Sequence, residues 1–83
     1  MRKSISFAKL DRLLANLGFV ITTIPNSHTL YEHVESGAVI LLRLHRPSDP
    51  VDARTLGIVR KTVVDFGVAE PDVFERLYQK TSA

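Results

Sequence analysis

Eighty-three residues, 45% hydrophobic and 24% charged, suffice for one folded core and leave no room for a second, so residues 1–83 read as a single domain with its core over about 6–78. A formal charge of +2 is too small to dictate a polyanionic partner, and the absence of cysteine excludes a disulfide scaffold, thiol catalysis and cysteine-ligated zinc. The longest unbroken apolar run, Ala38 to Leu42, cannot cross a bilayer, and Asp11 and Arg12 interrupt the stretch where an export signal would need its apolar centre, so a cytoplasmic protein is expected.

Phe7, Leu10, Leu13, Leu14 and Leu17 recur at helical spacing, with Ser4 or Ser6 able to cap the start and Gly18 placed to end the helix in a left-handed turn. This predicts a first amphipathic helix over about 6–17. Phe19 to Ile24 is rich in β-branched residues and too short for a helix, so it reads as a strand. Pro25-Asn26 signals a turn, His28 to Val34 a second strand, and Ser36-Gly37 a second turn. Ala38 to Leu44 makes a third strand, so apolar that a central or well-covered position is expected. Short connections imply an antiparallel meander.

The two prolines of His45 to Pro50 require a loop. Asp52 then caps a second helix carrying Leu56, Val59, Val63 and Phe66 on one stripe, and Gly67 ends it. Pro71 opens a short last helix with Val73, Phe74 and Leu77. The order is helix, three strands, helix, short helix. An α+β fold with a three-stranded antiparallel sheet, helices packed on one face and the other face open, solves the burial problem. A domain this small holds on the order of 5 kcal/mol of stability, which self-association or a partner protein would raise.

Chemistry concentrates in Asn26-Ser27-His28, with Tyr31 and His33 beyond. A histidine at a strand start, beside a turn and a hydroxyl, can move protons at neutral pH. His28 and His33 are separated by an odd number of positions, so a regular strand sends them to opposite faces and they do not form one metal site or one acid–base pair. If Ser36-Gly37 is a two-residue hairpin loop, His28 falls opposite His45. Two histidines with Arg43 or Arg46 at one sheet end would make a phosphate site. Metal-independent RNA cleavage needs a base for the ribose 2′-hydroxyl, an acid for the leaving oxygen and positive charge on the phosphate. Histidine can supply either proton transfer, Ser27 can position a phosphate oxygen or water, and no metal ligand set is expected. Each residue also has an ordinary role. A strand-end histidine is commonly a surface or capping group, Tyr31 core packing, His33 a hydrogen-bonded structural residue, and Ser27 a turn stabiliser. Arg54, Arg60 and Lys61 suit the wet face of a helix.

Taken in order over nearly the whole chain, these features resemble the HicA toxin family, also called YcfA-like, of small bacterial mRNA interferases. The matching pieces are the helix Leu10 to Leu17, Gly18-Phe19, Ser27-His28 with Tyr31 and His33, the apolar strand ending near His45, Thr55-Leu56, Gly67-Val68 and Phe74. The resemblance implies a double-stranded-RNA-binding-like α-β-β-β-α fold. It implies that His28 is the catalytic histidine of a cofactor-free endoribonuclease acting on mRNA, the toxin of a type II toxin–antitoxin pair. It also implies a HicB-type antitoxin that covers this histidine. The phosphate-binding set read from the residues is Asn26, Ser27, Arg43, His45 and Arg46. Asn26 stands where the family usually has Gly, and Arg43 falls near where many members carry Pro. These departures motivate the alternative, a non-catalytic RNA-binding or antitoxin-binding module of the same fold.

Overall fold

A computed structural model describes residues 5–79. Helix α1 (Phe7–Asn16) leads into strands β1 (Val20–Ile24), β2 (His28–His33) and β3 (Ala38–Arg43), followed by helices α2 (Ala53–Asp65) and α3 (Asp72–Gln79). The strands form one antiparallel sheet in the order β1-β2-β3. The predicted α+β layout is the one observed. Met1 to Ser4, with the alternative cap Ser4, and Lys80 to Ala83 lie outside the described residues.

Both long helices start where their capping residues stand. The Ser6 hydroxyl accepts from the Lys9 amide, and the Asp52 carboxylate accepts from the amide and hydroxyl of Thr55. The side-chain bond to Thr55, then the backbone bond, hold the Asp52 carboxyl below the usual carboxylate range, so the cap contributes fully above that range and is lost only as pH falls below it. The first amides of α1 find their acceptors elsewhere. Phe7 and Ala8 donate to the carbonyls of Asp49 and Pro47, while Val51 donates back to Ile5. The loop after β3 is thereby laced to the start of α1, and a Ser6–Pro50 bridge completes the lacing.

Phe7, Leu10 and Leu14 of α1, Val59 and Val63 of α2, and Phe74 and Leu77 of α3 close over Tyr31, Ala38 and Ile40 of the sheet. Ile5 and Phe19 complete this single core. The helices cover one sheet face and leave the other bare. Two expectations fail here. Strand β3 is an outer strand, because a meander puts β2 in the middle, and Val39 and Leu41 are each 55% exposed on the bare face. Phe66 is half exposed, because it is the C-cap of α2 and leaves the helical spiral there. Val68, whose amide bonds to the Val63 carbonyl, packs on the core beyond that turn.

Two glycines give opposite expectations. Gly18 has φ +103°, and a Cβ there would lie 3.2 Å from His33 Nε2. Gly18→Ala is expected to destabilise by about 1–3 kcal/mol. Gly57 sits inside α2 with open space around a Cβ, so Gly57→Ala is expected to stabilise by about 0.5–1 kcal/mol. Urea midpoints that moved the same way for both would contradict the backbone account.

A candidate nucleic-acid site at one end of the open sheet face

The β1–β2 connection is three residues long, Pro25, Asn26 and Ser27. The Ser27 amide donates to the Ile24 carbonyl at 3.1 Å, closing a turn with Pro second and Asn26 third at φ +61°. Those are the positions a type II turn gives to proline and to a left-handed residue. Asparagine adopts that conformation more readily than most side chains. Asn26 therefore holds the left-handed backbone that this turn requires.

His28 follows as the first residue of β2. Alternation along the strand puts Thr29, Tyr31 and His33 toward the helices, and His28, Leu30 and Glu32 on the bare face. The predicted separation of His28 and His33 holds. The imidazole is half-buried, and its Nδ1 lies 2.6 Å from Ser27 Oγ. The hydroxyl can donate or accept, so either ring tautomer is compatible with this bond. Nε2 has no partner among the described residues. Arg43, exposed, is the residue directly across from His28 on β3, and Ile24 is across on β1. The carboxylate on the same strand face, Glu32, lies four residues away, roughly 13 Å. This end of the face is thus cationic, with a hydroxyl and an imidazole side by side.

The predicted pairing of His28 with His45 is incorrect. His33 pairs with Ala38, so four residues, 34–37, form the loop and the register moves by two. Side chains fix this longer turn. Ser36 Oγ lies 2.8 Å from His33 Nδ1 and accepts from the Ala38 amide, while Gly37 donates to the His33 carbonyl. His33 accordingly has the structural role foreseen as its ordinary one, and its ring lies tilted at 52° against Phe19, centroids 5.2 Å apart.

His45 lies past the end of β3, and its ring turns back to the helix side. It stacks on Phe7 with centroids 3.8 Å apart, and its side chain is 9% exposed. Nδ1 lies 3.0 Å from the Arg43 carbonyl, which can only accept, so this nitrogen carries the hydrogen. Nε2 faces the Asp11 carboxylate at 3.5 Å and the Tyr31 hydroxyl at 3.4 Å, and that hydroxyl donates to Asp11 at 2.6 Å. A ring so enclosed is not open to a phosphate, so His45 leaves the proposed binding set. Arg46 is exposed in the following loop, where its guanidinium lies 3.7 Å from Asp49 and its amide donates to the same carboxylate. Asn26, Ser27, His28 and Arg43 come together; His45 and Arg46 do not join them.

The Asp11–Tyr31–His45 cluster is what sequence reasoning missed. Its signal is present in α1. Phe7, Asp11 and Leu14 share one stripe, so a carboxylate stands among core residues and requires a partner. Burial, then the hydrogen bond and charge of Asp11, push the Tyr31 phenol well above its ordinary value. The folded protein holds that proton where the unfolded chain, near pH 10, releases it, so stability falls as pH rises past that point. One of the chain's two tyrosines is expected to ionise only on unfolding. An ultraviolet titration in which both phenols ionise near pH 10, with the circular dichroism intact, would contradict this burial.

Among the described residues no group of three or more histidines and carboxylates could hold a metal ion, and no helix is long and apolar enough to cross a membrane. Compared with family models, curated proteins and solved structures, the chain matches none.

Proposed function

We propose that the chain is a metal-independent endoribonuclease of the HicA type, acting on mRNA as the toxin of a toxin–antitoxin pair. What supports this reading is the half-buried His28 imidazole on the bare sheet face, bonded through Nδ1 to Ser27 and facing Arg43 across the strand pair. Nε2 takes the proton of a ribose 2′-hydroxyl, and the oxygen so freed attacks the adjacent phosphorus. The bond to the 5′-oxygen breaks, that oxygen takes a proton from water, and the product is a 2′,3′-cyclic phosphate. Arg43 offsets charge building on the phosphate oxygens. Ser27 sets the ring's orientation, and Asn26 gives the phosphate a tight turn to approach. The required 2′-hydroxyl makes RNA the substrate and DNA inert. A HicB-type antitoxin seated over His28 would silence it.

The direct test incubates purified protein with mRNA in the presence of chelator. Fragments ending in a cyclic phosphate are expected, with no cleavage of the matching DNA. Intact RNA at every protein concentration would end the nuclease reading.

One observation favours a second reading, an RNA-binding or antitoxin-binding module without catalysis. The other two histidines are engaged, His33 with Ser36 and His45 with Asp11 and Tyr31, so no second imidazole stands beside His28 to protonate the leaving oxygen. RNA affinity that falls steeply with salt, without fragments, would select this alternative.

A further inference from the structure

The bare sheet face has a pattern that neither reading of the histidine uses. It is three strands wide and three rows long. One end row is Ile24, His28 and Arg43, the middle row Thr22, Leu30 and Leu41, and the far row Val20, Glu32 and Val39. Val20, Val39 and Leu41 are each more than half exposed, and Ile24 is 40% exposed. Charge lies only at the two ends, basic at one and acidic at the other.

We propose that this face docks onto the same face of a second copy of this chain. A two-fold axis lying in the face, across the strands through the middle row, reverses the strand direction and superposes β2 on β2. Leu30 then meets Leu30 of the second copy, and Leu41 meets Leu41. His28 of each copy then lies over Glu32 of the other, and Arg43 lies over Val39, one strand spacing of about 5 Å to the side of that carboxylate and diagonal to it. The same charge contact is made twice, as a self-complementary interface requires. The natural twist between packed sheets, about 30°, displaces groups one row from the axis by roughly 3–4 Å, because a row is about 7 Å along the strand. An arginine or glutamate side chain spans that offset. The reverse choice, an axis along β2, exchanges the outer strands, so Arg43 meets Ile24 while Glu32 stacks on Glu32, and that like-charge pair opposes it.

Nine residues a side is small against the roughly 20–30 of a standard interface, so the dimer is weak, with Kd about 10–100 μM. It places His28 inside the contact, and association therefore competes with anything that must reach that ring. The dimer itself does not depend on what His28 does.

Sedimentation equilibrium from about 10 μM to 1 mM, without RNA, tests the proposal. Wild-type mass is expected to rise from 9.3 kDa toward twice that value. Glu32→Arg and Arg43→Glu each set like charges against each other and should weaken association about tenfold or more. An equal mixture of the two variants restores both contacts and should associate more tightly than either alone. Both positions are exposed, and circular dichroism confirms that each variant is folded. A wild-type monomer at every concentration overturns the proposal and leaves the face to a different protein. A dimer that both substitutions leave intact, such as one joined along the free edge of β3, overturns it equally. So does a mixture no tighter than its components.

Discussion

His28→Ala protein should fold as the wild type does and leave RNA uncut. The two halves of this result have separate causes. The ring lies on the bare face, and its side-chain hydrogen bond is to the neighbouring exposed Ser27, so removing it changes stability by no more than about 0.5 kcal/mol. A positioned acid–base group contributes about 10²–10⁴-fold, and cleavage should fall by that factor. Expression in bacteria should then cease to arrest growth, and a urea midpoint measured on the same sample shows that the fold persists. Cleavage at the wild-type rate by a folded His28→Ala protein would remove His28 from the chemistry. Ser27→Ala should cost less than His28→Ala, since the serine only orients the ring.

His45→Ala should do the opposite, weakening the fold and leaving the chemistry of the surviving molecules alone. The substitution removes a ring stacked on Phe7, frees the Arg43 carbonyl of its donor, and withdraws the nitrogen facing Asp11 and Tyr31. Loss of the buried ring together with its polar contacts costs about 2–4 kcal/mol. Against a total on the order of 5 kcal/mol, that leaves about 1–3 kcal/mol, so roughly 1–15% of the molecules are unfolded without denaturant and the urea midpoint falls by about half. His45→Phe retains the stacking but not the polar contacts, and its urea midpoint should fall between those of wild type and His45→Ala. An unchanged midpoint in His45→Ala would show that the cluster contributes nothing to stability.

Local rules made most of the fold legible. Ser6 and Asp52 are capping residues where caps are needed, Gly18 takes the left-handed turn after α1, and β-branched runs mark the strands. The opposed faces of His28 and His33 follow from strand alternation alone. What was not legible depends on side chains meeting at a distance. Ser36-Gly37 suggests a two-residue loop, but the bonds between Ser36 and His33 lengthen it to four, and that shift of register separates His45 from His28. The apolar content of Ala38 to Leu42 suggests a covered strand, whereas strand order is a property of the whole sheet. The site was legible in part. Asn26, Ser27 and His28 are contiguous, and Arg43 joins them through the register. Asp11 was the unread sign that a buried polar cluster awaited a partner from the chain beyond β3.

The lacing of α1 to the loop after β3 has a consequence for the nascent chain. Phe7 and Ala8 obtain their acceptors from Asp49 and Pro47, about forty residues further on, a closure whose entropy must be met before the contact returns anything. A ribosome that has released only the first helix and hairpin has not yet presented those carbonyls. The domain therefore matures late in its own synthesis, and a truncated product ending before residue 47 is left with an unfinished helix start and an uncovered interior.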